Sequence, residues 1–163
     1  SAVTSVSPFY RVKATGLRYF STRAHGALGY SLAAAMGAHI GRPSVKTVSV
    51  MGDGSFGMCV GELETAVRLK LPITFVVIAN AVYGWIKAGQ KSGYGQRYFS
   101  VDFGVTDHAK VAEAFGVRSW RVTQPDKLHS ILKTAIATAG PTLVDIVCQP
   151  LHEAKAPVSE WVA

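Results

Sequence analysis

Runs of apolar residues along the chain follow two patterns, and each pattern predicts a different kind of element. Short runs rich in β-branched residues predict strands, whereas apolar residues three or four positions apart predict helices. The predicted strands are residues 45–51, 73–78, 117–122 and 142–148. The predicted helices are one that follows a glycine turn within 26–37, one at 55–69, one after Asp107 that ends near Gly116, and one at 126–138.

Strands and helices alternate along the sequence, which is typical of an α/β fold. The run at 73–78 is apolar throughout, as expected for a parallel strand covered on both faces. We therefore expect a parallel sheet with helices on both faces, in a single domain over residues 1–163. The core-facing residues predicted for the helix at 55–69 are Met58, Leu63, Ala66, Val67 and Leu69. Residues 81–105, rich in glycine and aromatic side chains, are predicted to form a short helix and a long loop.

Composition fits a globular protein and argues against two other classes. Of the 163 residues, 48% are hydrophobic and 17% are charged, which is typical of a folded domain. The net charge is +7, but the basic residues are scattered, so we expect no nucleic-acid binding. The longest uncharged stretches, 24–40 and 71–86, are shorter than the ~20 apolar residues of a membrane-spanning helix, so we expect no membrane segment. The N-terminus does not resemble a signal peptide, and we expect a cytoplasmic protein.

Polar residues follow the first two predicted strands at the point where each strand ends. The first strand runs into "GDGSF" at residues 52–56, a glycine turn at the start of a helix, which is a favourable place for a phosphate. Asp53 is itself an anion, so a cation between Asp53 and the phosphate would explain its presence. Asn80 comes 27 positions later, after the next strand. Carboxylate and amide oxygens are hard ligands, suited to Mg²⁺ or Ca²⁺, and a diphosphate would then touch Gly54 and Ser55.

These motifs resemble those of a known family. "GDGSF" at 52–56 followed by Asn80 in "VIANAVYG" is similar to the motif of thiamine-diphosphate-dependent enzymes. The upstream segment "HGALGYSLAAAMGA", residues 25–38, resembles the acetolactate synthase-like branch of that family. The resemblance extends from about residue 22 to residue 147 and implies the thiamine-diphosphate-binding fold, as its diphosphate-binding domain. The chain departs from the family pattern at Ala79, where a second asparagine is common, and at Ala33, where proline is common.

The resemblance implies a role for each residue of the site. Asp53 and Asn80 would bind Mg²⁺ through their side chains, and Val82 would bind it through its main-chain oxygen. Gly26 would offer its carbonyl to the aminopyrimidine of thiamine diphosphate, and Leu28 would lie under the bent cofactor. The other residues expected to contact the cofactor are Gly52, Gly54, Ser55, Tyr83 and Gly84.

The same resemblance implies a reaction and a partner. Enzymes of this family decarboxylate a 2-oxo acid, and the cofactor-bound enamine that remains then takes up a proton or reacts with a second carbonyl. We therefore expect a lyase or transferase component. Their activating glutamate comes from a pyrimidine-binding domain, usually on another subunit, and neither Glu62 nor Glu64 can be given that role. We therefore expect a fragment or subunit of a larger oligomeric enzyme, homo- or hetero-oligomeric, that is inactive without the pyrimidine-binding domain.

Other interpretations of these residues stay open at this stage. The chain could be a non-catalytic module that keeps the cofactor and Mg²⁺ for structural or regulatory purposes. Asp53 alone could be a turn residue and Asn80 a strand-end cap. Residues 90–103 could form a basic aromatic strip for RNA, although a loop that orders over the cofactor or a partner subunit is the preferred interpretation. The histidines expected at the surface are His39, His108, His129 and His152, whereas His25 could face either solvent or substrate.

Overall fold

Four parallel strands form the sheet, and they lie in the order β1-β2-β4-β3. The structure is a computed structural model, and it describes residues 19–21 and 26–150. The strands are β1 (Thr47–Gly52), β2 (Ile73–Ala79), β3 (Arg118–Val122) and β4 (Thr142–Val147). Each is one of the strands expected from the sequence, with ends that differ by one or two residues.

Six helices are present in the described residues. They are α1 (Tyr30–Gly41), α2 (Asp53–Gly57), α3 (Glu62–Arg68), α4 (Gly84–Gly93), α5 (His108–Ala114) and α6 (Pro125–Ala137). Within the described residues, no helix is long and apolar enough to cross a membrane.

The sheet is covered on both faces, as the sequence predicts. The larger core joins β1, β2 and β4 to side chains of α1, α2, α3 and α5, including Leu32, Phe56 and Leu63. The smaller core, on the opposite face, joins Val144 of β4 to Ala135 of α6. Strand β2 is buried from its first residue through Val77, because it lies between β1 and β4 and has helices on both sides.

The prediction of one continuous helix at 55–69 is wrong, because the segment forms two short helices with a turn between them. The turn is closed by tight hydrogen bonds, in which the N–H of Cys59 donates to the carbonyl of Phe56 and the N–H of Glu62 donates to the carbonyl of Cys59. Glycines at 57 and 61 flank this turn and weaken helical continuity. Two residues expected in the core are therefore exposed: Met58 by 57% and Leu69 by 47%.

The helix predicted after Asp107 is confirmed, although it has seven residues where about ten were expected. The Asp107 side chain caps α5 by accepting a hydrogen bond from the N–H of Lys110 at 3.0 Å. Gly116, with φ +86°, ends the segment in a left-handed turn. In that turn the N–H of Val117 donates to the carbonyl of Ala112 at 3.0 Å, and that carbonyl also accepts from the N–H of Phe115.

Two histidines expected at the surface are buried, which corrects the sequence-based expectation. His39 is 8% exposed, because it lies on the core-facing side of α1 that also carries Leu32 and Met36. His108 is also 8% exposed, and its burial is balanced by hydrogen bonds to Asp145. His129 is exposed as expected. The remaining two, His25 and His152, lie outside the described residues.

A pair of buried threonines joins β2 to β4 beneath α6, and it gives a test of the fold. The hydroxyl of Thr142 lies 2.9 Å from that of Thr74 and 3.2 Å from the carbonyl oxygen of Ala135. We expect Thr142→Val to lower the free energy of unfolding by about 1–2 kcal/mol, because it leaves buried polar atoms with fewer partners. The matched control is Thr134→Val on the exposed side of α6, with an expected change within about 0.5 kcal/mol in urea denaturation. Equal losses in the two variants would contradict this interpretation.

Candidate cofactor-binding site

The candidate site lies at the carboxyl ends of β1 and β2. The two strands are parallel neighbours, and Gly52 at the end of β1 pairs in register with Ile78 of β2. Asp53 follows β1 directly, and Asn80 follows β2 directly. The sheet therefore brings both residues to one edge, which is where ligands bind in open α/β sheets.

The carboxylate of Asp53 is buried and joins the ends of the two strands. Asp53 is 6% exposed. One of its oxygens, Oδ1, accepts a hydrogen bond from the N–H of Gly54 at 2.9 Å. The other, Oδ2, accepts one from the N–H of Ala81 at 2.6 Å. Both carboxylate oxygens are thus paired with backbone donors, and the second donor holds the segment after β2 against the start of α2.

Backbone strain in the segment 80–82 accompanies this contact. Ala81 has φ +56°, a left-handed conformation that costs a non-glycine residue about 1 kcal/mol or more. Its N–H is bound by Asp53, and its carbonyl accepts a hydrogen bond from the N–H of Phe103 at 2.8 Å. The peptide groups before and after Ala81 are thus each held by a hydrogen bond, which fixes the conformation of Ala81 and of the residues on either side.

Two oxygen donors beside Ala81 have no hydrogen-bond partner within the described part of the chain. Asn80 is 8% exposed, and its side-chain amide makes no hydrogen bond there. The main-chain oxygen of Val82, a residue 6% exposed, also accepts none there. With Asp53 they make an oxygen-only donor set of the kind that suits Mg²⁺. Within the same residues no cluster of three or more His, Cys, Asp or Glu is found, so a softer metal has no comparable site.

Gly54 lies under an aromatic pair. The rings of Tyr83 and Phe103 meet edge to face, with centroids 4.3 Å apart. A Cβ at position 54 would overlap the ring of Tyr83 and lie 3.0 Å from that of Phe103. A side chain at position 54 would therefore require Tyr83 to move, whereas glycine lets the backbone approach a ligand closely.

Ser55 connects α2 to the glycine turn before α1. Its hydroxyl oxygen accepts a hydrogen bond from the N–H of Gly29 at 2.8 Å. Within this turn Gly26 and Gly29 both have positive φ, +55° and +85°, and Leu28 is 43% exposed. The turn that contains two of the expected cofactor contacts therefore adjoins α2, with Leu28 open to a ligand.

The expected site residues thus fall into two groups. The residues at the shared edge of the sheet and in the segments that follow it are Gly52, Asp53, Gly54, Ser55, Asn80, Val82, Tyr83 and Gly84. Gly26 and Leu28 form the second group, in the turn that Ser55 ties to α2.

Sequence reasoning missed the segment 101–103, which holds the loop after Asn80 in place. The N–H of Tyr83 donates to the carbonyl of Val101 at 2.8 Å, and Val82 and Asp102 form an antiparallel bridge. The ammonium of Lys87 lies 2.8 Å from Oδ1 of Asp102, which ties α4 to the same segment. These pairings join residues about twenty positions apart without a regular strand, so no periodic pattern in the sequence indicates them.

The end of β4 also adjoins the site through Cys148. Its N–H donates to the carbonyl of Ala79 at 2.9 Å. Burial raises the pKa of the Cys148 thiol, and the carboxylates of Asp53 and Asp145 raise it further. The thiol is therefore held protonated next to the carboxylates, which does not favour a nucleophilic role.

Comparisons with known proteins agree with this architecture. A family model described as "Thiamine pyrophosphate enzyme, C-terminal TPP binding domain" matches residues 2–146. The acetolactate synthase large subunit of Porphyra purpurea is 37% identical over 143 residues, which are 86% of this chain and 24% of that protein. Acetolactate synthase of Bacillus subtilis (strain 168) is 42% identical over 119 residues, or 73% of this chain and 21% of that protein. The chain thus spans about a quarter of the length of these relatives.

A solved structure supports the same assignment. The thiamine diphosphate-dependent 4-hydroxybenzoylformate decarboxylase of Rhodococcus jostii RHA1 superposes with a TM-score of 0.72 and 28% sequence identity. The match covers 76% of this chain and 24% of that one. The chain belongs to the thiamine pyrophosphate enzyme family and carries its C-terminal cofactor-binding domain.

Proposed function

We propose that this chain is the thiamine diphosphate- and Mg²⁺-binding half of an acetolactate synthase-like 2-oxo acid decarboxylase or carboligase. The observation that carries the proposal is the 2.6 Å hydrogen bond from the N–H of Ala81 to Oδ2 of Asp53. This contact brings the segment 80–82 beside the buried carboxylate at the N-terminus of α2. An oxygen donor set then adjoins the N-terminus of α2, where the N–H of Ser55 has no partner in the described residues, which is an arrangement suited to a metal-bound diphosphate.

In this proposal Mg²⁺ is held by the carboxylate of Asp53, the side-chain oxygen of Asn80 and the main-chain oxygen of Val82. The fit is supported by the unpaired amide of Asn80 and the unpaired carbonyl of Val82 in the described residues. Residues 52–67 include no lysine or arginine, so the metal and the backbone would neutralise the diphosphate. When bound, thiamine diphosphate supplies the carbanion chemistry that decarboxylation of a 2-oxo acid needs.

The remaining residues would bind and orient the cofactor. The N–H of Ser55 would donate to the diphosphate at the start of α2, and the backbone of Gly52 and Gly54 would lie beside it, with the N–H of Gly54 bound to Oδ1 of Asp53. Tyr83 and Gly84 would border the diphosphate on the side of α4. The carbonyl of Gly26 would accept from the aminopyrimidine, and Leu28 would support the bent cofactor from below.

The proposal includes a second domain, because neither Glu62 nor Glu64 can be given the role of the activating glutamate. An apolar surface on α4 and the loop after it is the place where such a domain would dock. The large apolar side chains exposed there are Trp85, Ile86, Tyr94, Tyr98, Phe99 and Val105. Exposed apolar patches of this kind are typical of interfaces. We propose that a pyrimidine-binding domain, on the same or another subunit, covers this surface and completes an oligomeric lyase or transferase.

Removal of the Asp53 carboxylate tests the metal assignment. We expect Asp53→Ala to abolish Mg²⁺-dependent binding of thiamine diphosphate in the assembled protein, because both the metal ligand and the anchor of Ala81 are lost. Isothermal titration calorimetry with and without Mg²⁺ measures the affinity, and circular dichroism checks the fold. The matched control is Asp126→Ala, an exposed aspartate of α6, which should bind as the wild type does. Unchanged affinity in Asp53→Ala would refute the metal site.

Gly54 tests the proposed backbone contact with the diphosphate. We expect Gly54→Ala to weaken cofactor binding by about tenfold or more, because the new methyl group displaces Tyr83 and blocks the backbone. Gly57→Ala is the matched control in the same helix, since no described atom lies within 4 Å of a Cβ there. It should change the dissociation constant by less than about twofold. Equal effects of the two substitutions would remove the argument for a close approach at Gly54.

Reconstitution tests the need for a partner. We expect the 163-residue chain alone to turn over 2-oxo acids negligibly and to self-associate or to leave residues 81–105 poorly protected from proteases. Addition of a pyrimidine-binding domain should restore turnover and protect that loop, as followed by carbon dioxide release and limited proteolysis. Substantial turnover by the chain alone would show that no glutamate from a second domain is needed.

A further inference from the structure

A buried polar cluster lies behind α2, outside the residues assigned to the cofactor. Its centre is Asp145 of β4, which is 0% exposed. One oxygen, Oδ2, accepts a hydrogen bond from the main-chain N–H of His108 at 3.1 Å, and the other, Oδ1, lies 3.2 Å from Nδ1 of the His108 ring. The guanidinium of Arg121 is 3.8 Å from Oδ2. A fully buried carboxylate is costly unless it is paired in this way, so the cluster is tightly constrained.

The hydrogen bond to Asp145 fixes the His108 ring. The ring is held through Nδ1, which lies within hydrogen-bond distance of Oδ1 of Asp145, while the main-chain N–H of the same residue binds Oδ2. A histidine held through one ring nitrogen loses freedom of rotation, and its other edge is directed at a defined neighbour.

That neighbour is the helix that begins with Asp53. The ring of His108 meets the ring of Phe56 edge to face, with centroids 5.6 Å apart and planes at 83°. Phe56 is 1% exposed and lies three residues after Asp53 in α2. This helix has five residues and no side-chain cap, so it depends on packing to stay in place.

We propose that His108 is a positioning residue for the metal loop: Asp145 holds its ring, the ring holds Phe56, and Phe56 sets the position of Asp53. One consequence of this inference rests on the proposed function, namely that the contacts from Asp145 through His108 to Phe56 control cofactor affinity. The competing explanation is a buried polar pair that stabilises the fold as a whole and has no selective effect on α2.

Hydrogen exchange separates the two explanations without a cofactor. His108→Leu removes both the ring contact and the hydrogen bond to Asp145, and we expect amide exchange in residues 52–57 and 80–82 to rise about tenfold more than elsewhere. The control is Thr142→Val, which weakens the packing on the opposite face of the sheet. The exchange rates of the two variants are compared under conditions in which their free energies of unfolding are equal. His108→Phe keeps an aromatic ring against Phe56, so it should restore the protection of α2 to within about threefold while global stability remains lowered.

Cofactor affinity gives the second measurement. In the assembled protein, His108→Leu should weaken Mg²⁺-dependent thiamine diphosphate binding by about tenfold, as loss of a residue that orients a metal ligand commonly does, and His108→Phe should recover most of it. If His108→Leu fails to fold, Phe56→Leu tests the same contact from α2 and should expose the same two segments. Exchange in these segments no faster than in the control, or no recovery with His108→Phe, would overturn the positioning role. An assembled wild-type protein that binds no thiamine diphosphate would refute the proposed function, and the exchange experiment would still decide the role of His108.

Discussion

The site depends on one hydrogen bond between the ends of two neighbouring strands. The carboxylate of Asp53 accepts the N–H of Ala81 at 2.6 Å, and it does so inside the protein, where competition from water is small. Without this contact the hydrogen bond from the N–H of Phe103 to the carbonyl of Ala81 would have to hold the left-handed conformation of Ala81 by itself. Sheet pairing, loop conformation and the placement of the oxygen donors are therefore parts of one arrangement.

A second set of contacts supports that arrangement from outside the strands. The segment 101–103 binds both sides of the 81–83 backbone, and Tyr83 and Phe103 close over Gly54. Behind α2, the pair of His108 and Asp145 meets Phe56. The short helix that starts at Asp53 is thus enclosed by aromatic rings on two sides, which explains how five residues can keep a defined position without a capping side chain.

Much of the architecture could be predicted from the sequence, because the spacing of apolar residues along a short segment indicates whether it forms a strand or a helix. The apolar run of β2 and the glycine turn at 52–54 both indicated where chemistry would lie, since parallel strands end at a common edge. The division between α2 and α3 could not be predicted in the same way. Apolar spacing in that segment favours one helix, and it outweighed the two glycines that flank the turn around Cys59, where the hydrogen bonds divide the segment.

The burial of His108 was not predictable either, for a different physical reason. A histidine at the start of a helix is ordinarily solvated, and its partner Asp145 lies 37 positions away in a strand. Long-range polar pairs of this kind leave no periodic signal, so they emerge only when the sheet brings β4 beside α5. The same limit applies to the bridge between Val82 and Asp102, whose members are separated by a helix.

The strand order has a consequence for how the chain acquires its structure. β4 is the last strand in the described residues, yet it lies between β2 and β3. Until residues 142–147 have been synthesised, the strand that pairs with both β2 and β3 is absent. The edges of β2 and β3 that face β4 in the folded sheet then stay unpaired. The buried carboxylate of Asp145 also arrives with this last strand. A ribosome-bound chain that stops short of residue 142 would therefore hold α5 and β3 without the strand that joins them to the rest of the sheet, and such an intermediate is exposed to mispairing.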